Sequence, residues 1–514
     1  MNHPLDQRRA GVILHPTSLP GRWGNGDLGG DAYRFVDFLQ ACGQTVWQML
    51  PLGPTHIDGS PYQCLSVHAG NPLLISIDAL IDAGWLDAPF AVANFQAHST
   101  DRVVQKRALL ARAHAGFLEK ADRRDHAALA LFIDTHHHWL RDYALYQALR
   151  KENRGAEWDR WPVEQRDRAA ATLDEASRRL ARFIHQVCFE QFVFFRQWQA
   201  LKNYAHQRGI WLFGDMPIFV AYDSADVWSR REYFELDETG HMRVVAGVPP
   251  DYFSATGQRW GNPHYRWSAM AANGFRWWIE RVQTQRELVD LIRIDHFRGF
   301  EAYWEIPADS PTAINGRWVT APGEALFSAL RRHFGPLPLV AEDLGLITPE
   351  VDALRKKFSL PGMKILQFAF DGGPDNPYLP HNHEINSVVY TGTHDNDTTL
   401  GWYTSLGDDL RRKVDDYLGL PGDPMPWPLI RCAYSSIAQL AMVPMQDVLM
   451  LGGEHRTNRP GTTEGNWLWR FEWEQVTDDN VARLRHLAEL YERLGVTPAA
   501  AADRRKAKEL PAGA

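Results

Sequence analysis

The sequence predicts an α/β fold built on a (β/α)8 TIM barrel, and three observations carry the prediction. Eight short apolar runs, rich in β-branched residues, recur along the chain. Most are followed by a loop and a segment of helical period, the alternation that a parallel barrel requires. Most also end on a polar residue, and a barrel would gather those ends at one rim.

In order, the runs are GVILH (11–15), TVWQML (45–50), IWLFGD (210–215), LIRID (291–295), LVAED (339–343), MKILQ (363–367), SVVYT (387–391) and MVPMQ (442–446). DAYRFVDFLQACG (31–43) supplies the helix after the first run, and PEVDALRKKF (349–358) the helix after the fifth. Two gaps are too long for one crossover. The gap after the second run is Ala/Arg/Leu/Glu-rich and helical in period, which predicts a mostly helical inserted subdomain over 75–205. The gap after the third contains GVPPDYFSATGQRWGNPHYRW (247–267), rich in Gly, Pro and aromatics. It predicts a long irregular loop insertion, an inserted loop subdomain over 216–285, and loops of that length are usually functional. Past Arg470 the chain reads as helix (478–495) and then an Ala/Arg/Lys tail, so no C-terminal β-sandwich is expected. Residues 1–514 thus read as a single barrel unit with two insertions.

Composition narrows the ligand class. With 63 acidic against 55 basic residues the net charge is −8, which gives no electrostatic footprint for nucleic acid or for an anionic membrane. Twenty Trp, 24 Phe and 16 Tyr fill a large core, and they can equally offer flat faces to sugar rings. Cys42, Cys64, Cys188 and Cys432 form no CxxC pair, so neither a disulfide framework nor a zinc site is implied. His136, His137 and His138 point to different sides of a helix and make a poor chelate. No signal-peptide run opens the chain and no 18-residue uncharged apolar run occurs, which predicts a cytoplasmic protein.

Three strand-end segments each deliver a carboxylate: RIDH (293–296), AED (341–343) and THDN (393–396). Two acids flanking a glycosidic bond suffice to cleave it, one attacking the anomeric carbon and the other protonating the leaving oxygen. Arg293 lies two residues before Asp295, so strand period puts both side chains on one face. A lone acid at a strand end is as often a helix cap or an ion-pair partner. Three such acids on one rim are harder to explain that way.

These segments, together with HPTSLPG (15–21), GDLG (26–29), WQMLPLGPT (47–55), SPYQ (60–63), GDMPIFVAYDSADVW (214–228), GVPPDYFSATGQRWGNP (247–263), RIDHFRG (293–299), AEDLG (341–345) and TGTHDNDT (391–398), closely resemble the amylomaltases. These are the 4-α-glucanotransferases of the α-amylase clan, and the match runs roughly from residue 10 to 470. The resemblance implies a retaining transfer of α-1,4-glucan segments from a donor glucan to a maltooligosaccharide or glucose. It makes Asp295 the nucleophile, Glu342 the acid/base and Asp395 the acid that holds sugar hydroxyls. Arg293, His296 and His394 would hydrogen-bond around the same ring. Ser60 and Tyr62 would contact the sugar, with Tyr62 stacking on it, and Asp215 would lie beside it. Asp251, Phe253, Gln258 and Trp260 would belong to a lid over the acceptor side, and Asn466 would be a further sugar contact.

The strand-3 motif departs from the wider clan. Asp215 is followed by Met216-Pro217 rather than by a calcium-binding Asn, so no calcium or other cofactor is implied. Two alternatives stay open on these residues. A plain α-glucan hydrolase would need the same acids, with water resolving the intermediate. A non-catalytic glucan-binding protein would have no need of three of them.

Overall fold

The computed structural model describes residues 4–96, 99, 101–250, 254–420 and 422–494. Twelve strands occur among them: β1 Arg9–Ile13, β2 Val46–Gln48, β3 Trp211–Met216, β4 Val244–Val248, β5 Gln258–Pro263, β6 Leu291–Ile294, β7 Ala302–Pro307, β8 Arg317–Thr320, β9 Leu339–Ala341, β10 Gly362–Ile365, β11 Ser387–Tyr390 and β12 Leu440–Pro444. Eight of them form one parallel sheet in the order β10-β11-β12-β1-β2-β3-β6-β9. Each contains at least half of one of the eight apolar runs, so the (β/α)8 expectation holds.

The sheet curls until β9 meets β10, but that seam has no regular ladder. Pro361 precedes β10 and has no N–H to donate. The seam is closed instead by the Ala341 N–H, which donates to Pro361 O at 2.8 Å. The Met363 N–H donates to Asp343 Oδ1 at 2.7 Å. Asp343 is ion-paired with Arg355 at 3.3 Å. A Cβ on Gly362 would come within 2.2 Å of Asp343 Oδ2, so this crossing needs glycine.

Alternation of side chains fills the barrel and aims the site. Ile13, Val46, Phe213, Leu291, Val340, Met363, Ile365, Val388, Tyr390, Leu440 and Met442 pack together inside it. Ala10, Val12, Trp47 and Ile292 face outward into the larger core shared with the helices. Continuing the inward positions by two residues brings Asp215, Arg293, Asp295 and Glu342 to the C-terminal rim.

Between β2 and β3, residues from Ile77 onward are mostly helical, ending in the 27-residue helix Ala181–Gln207. That helix packs beside helices Gly30–Ala41 and Arg276–Leu288. The Trp198 indole N–H donates to Leu288 O at 2.7 Å. Gly209, at φ 74°, ends the helix in the left-handed turn that leads into β3.

The region expected to be an irregular loop after the third run differs. It contains β4 and β5, which join β7 and β8 in a second, antiparallel sheet of order β5-β4-β7-β8. This sheet is shared between two successive barrel loops, the one after β3 and the one after β6. Its strands are short, and β4 and β7 pair over a sequence separation that no local pattern reveals. No helix of the described residues is long and apolar enough to cross a membrane.

Candidate active site

A cleft of about 1060 Å³ opens over the C-terminal rim. Asp295, Glu342 and Asp395 line it, the first two just past β6 and β9 and the third in the loop after β11. So do Ser60, Tyr62, Gln258, Trp260, Arg293, His296, His394 and Asn466. Asp251 and Phe253 lie outside the described residues.

Arg293 organises the floor. Its guanidinium donates from Nη1 to Asp215 Oδ2 at 2.7 Å and pairs through Nη2 with Asp295 Oδ1 at 2.9 Å. Asp215 lies at the end of β3, beneath the cleft floor. It is 2% exposed and reaches the cleft through Arg293 and through Tyr62, whose hydroxyl donates to Asp215 Oδ2 at 2.8 Å. Burial drives the Arg293 pKa down, but Asp215 and Asp295 outweigh it and raise the value above the ordinary.

Glu342 is held differently. Its Oε2 accepts from the His296 N–H at 2.7 Å and its Oε1 from the Leu344 N–H at 3.1 Å. The first bond is possible because His296 adopts the left-handed region, at φ 51°, which turns its backbone toward β9. Burial pushes the Glu342 carboxyl up to about 7, with Asp295 adding to the rise and Arg293 opposing it. A carboxyl that keeps its proton near neutral pH can serve as a general acid.

Asp395 shows the opposite shift. Partial desolvation inside the cleft pushes it up, although its side chain is 46% exposed, yet His394, 3.3 Å away, and the Asn458 amide outweigh that and hold it well below the usual carboxylate range. His394 is correspondingly raised, because Asp395 outweighs the burial that would lower it. Burial lowers His296 to about 4, so its ring is neutral at ordinary pH.

Aromatic rings wall the site. Tyr62 stacks on His394 at 5.2 Å and 18°, and Trp467 lies 5.9 Å from Tyr62 and 6.1 Å from His394. Across the cleft, Trp260 stands edge-on to His296 at 4.9 Å, and its indole N–H donates to Gln258 Oε1 at 3.1 Å. Asn466 lines the cleft, but its amide already bridges the Arg459 N–H and Thr462 O. Sequence reasoning missed Trp467, Asn458 and Arg456, which come from the segment after β12. HRTNRPGTTEGNW (455–467) did carry a signal, because a Gly/Pro/Asn/Thr-rich stretch between a strand and a helix is a loop.

A pair of acids in opposite protonation settings, set among flat rings at the rim of a parallel barrel, defines a barrel enzyme for a neutral, ring-shaped ligand. A 4-alpha-glucanotransferase family model matches residues 14–476. The 4-alpha-glucanotransferase of Thermus thermophilus is 51% identical over 500 residues, covering 95% of this chain and 99% of that one. That of Synechocystis sp. is 48% identical, again over 95% and 99%. Among solved structures, an amylomaltase from Streptococcus agalactiae in complex with acarbose superimposes with a TM-score of 0.92. It is 36% identical, over 95% of this chain and 100% of that one. The chain belongs to the 4-alpha-glucanotransferase family.

Proposed function

We propose that this enzyme moves α-1,4-glucan segments from a donor glucan to a maltooligosaccharide or glucose by double displacement. Asp295, fixed by Arg293, attacks the anomeric carbon and forms a β-glycosyl ester. Glu342 gives its proton to the departing 4-oxygen, so the leaving fragment departs as an alcohol. Glu342, now a carboxylate, takes the proton from the 4-hydroxyl of an incoming glucan, which displaces Asp295 with a second inversion and net retention. Asp395 is assigned the sugar's 2- and 3-hydroxyls, Tyr62 and His394 one flat wall of that subsite, and Trp260 with Gln258 the acceptor side. Ser60 shapes the turn below Tyr62 by accepting its N–H at 3.4 Å.

The observation that carries the reading is the electrostatic split between the two acids. Glu342 is half-buried with its carboxyl pushed up to about 7, while Asp295 is ion-paired with a guanidinium. The test is product profiling after incubation with maltotriose. Transfer gives glucose together with maltopentaose and longer chains, whereas maltose and glucose alone would mean that water resolves the intermediate. Asp295→Ala is expected to abolish both product patterns.

A further inference from the structure

The segment that follows β12 enters the cleft with almost no regular structure, yet it is tightly tied. At its root the Gln446 amide donates to His455 O at 3.2 Å and to Thr457 Oγ1 at 2.8 Å. The Trp467 N–H donates to Thr457 O at 2.8 Å, which closes the loop on itself. From this closed loop two side chains reach the end of β11. Arg456 Nη2 donates to Asp395 O at 2.8 Å, and Asn458 Nδ2 donates to Asp395 Oδ1 at 2.6 Å.

Asp395 needs such help. It sits on a turn rather than in a strand, and its side chain is 46% exposed. Without a tether, a carboxylate so placed would be free to rotate, and ordering it on substrate binding would cost entropy at the moment of reaction. His394 lies against Oδ2 but comes from the neighbouring position in the chain, so it moves with the turn. Asn458 comes from a different barrel loop and is anchored independently.

We propose that Asn458 is a positioning residue, whose amide, carried by the closed 455–467 loop, locks the Asp395 carboxylate in the rotamer that meets the sugar hydroxyls. The inference rests on the role assigned to Asp395 above. Asp395 and His394 are faced by charged or titratable groups from several neighbouring elements: Arg293 from β6, Asp215 from β3, Tyr62 from the loop after β2, His15 beyond β1, and Arg456, itself 3.9 Å from Asp397. None of them donates to Oδ1.

The experiment compares pH profiles of kcat/KM for maltotriose disproportionation in the wild type, Asn458→Asp and Asn458→Ala, with melting curves over the same pH range. In Asn458→Asp two carboxylates meet at hydrogen-bonding distance and must share a proton, so the clamp holds only while that proton stays bound. Activity near that of the wild type is expected at the acid end, with the alkaline fall moved down by about one pH unit or more. In Asn458→Ala, kcat is expected to fall about tenfold or more while KM changes less, as for loss of a hydrogen bond to a charged group. The alanine variant keeps the test decisive if the aspartate variant unfolds. A profile for Asn458→Asp that overlays the wild type, or a kcat for Asn458→Ala within twofold of it, overturns the proposal. Asp395→Asn separates the two levels. If it disproportionates normally, the role given to Asp395 fails and the inference fails with it. If it is inactive while the Asn458 variants behave as wild type, the positioning role alone is overturned.

Discussion

At the scale of single residues, the site works by giving chemically similar groups different surroundings. Glu342 accepts two backbone N–H groups, yet burial dominates and keeps its proton on to about pH 7. The sign of the pH dependence follows. Glu342 must be protonated to act as acid, its pKa is raised, and the protonated fraction is lost as pH rises through that value. The rate of the glycosylation step should therefore fall on the alkaline side of about 7, as read from a profile of kcat/KM for maltotriose. Glu342→Gln should lower kcat/KM by roughly 10²–10⁴-fold, because the amide keeps the shape but has no proton to transfer. An α-glycosyl fluoride, whose leaving group needs little protonation, should restore the first step and let the glycosyl-enzyme accumulate, visible by mass spectrometry. If the variant handles the fluoride no better than maltotriose, Glu342 is not the acid.

At the scale of elements, the antiparallel sheet decides where the residues proposed for the acceptor side stand. β5 carries Gln258 and Trp260, β4 anchors β5 to β7, and β7 follows directly from the loop after β6. Trp260 reaches His296 from this sheet, so one ring couples the proposed acceptor side to the segment that holds Glu342. Trp260→Ala should lower the ratio of transfer to hydrolysis by about two- to tenfold, the factor that a ring contact of about 0.5–1.5 kcal/mol converts to. Glucose and oligosaccharide release from maltotriose reads the ratio, and an unchanged value in a folded variant would place acceptor choice elsewhere. The barrel seam gives a second test. Gly362→Ala would drive a methyl into Asp343 and open the β9–β10 closure, so it should destabilise the fold by roughly 1–3 kcal/mol, seen as a lowered melting midpoint.

At the scale of the whole molecule, the helical region between β2 and β3 is tied to the barrel by a buried ion pair. Lys106 Nζ lies 3.3 Å from Asp27 Oδ2, and Lys106 is 1% exposed. Burial raises the Asp27 pKa and lowers that of Lys106, and in each case it outweighs the partner's charge. Both shifts favour the neutral forms, so the pair does not recover the full cost of leaving water. Lys106→Met alone should destabilise by about 3–5 kcal/mol, because it strands a buried carboxylate. Adding Asp27→Leu should restore most of the melting temperature, since an apolar pair of similar size avoids the penalty. A double variant no more stable than the single one would mean that the ion pair is a net contributor.

What the sequence determined by itself was the set of short-range patterns. Eight runs of buried strand character, the helices between them and the three acids at the runs' ends are all written in neighbouring residues, because strand and helix periods are local. Even there, β1 begins two residues before its run, at Arg9, whose buried guanidinium donates to Pro4 O, a partner no apolar pattern announces. The four-stranded sheet was invisible, since β4 and β7 are short and meet only through a pairing between two insertions. Likewise, no local pattern announces that Asp215 Oδ2 is the shared anion of Tyr62 and Arg293. Asn458 and Trp467 could be seen as loop residues but not as neighbours of Asp395 and Tyr62, which are sixty-three residues and more than four hundred residues away along the chain. Only the closed barrel brings such distant segments to one rim, and only there do burial and neighbouring charge separate Glu342 from Asp395, two acids that a sequence reads alike.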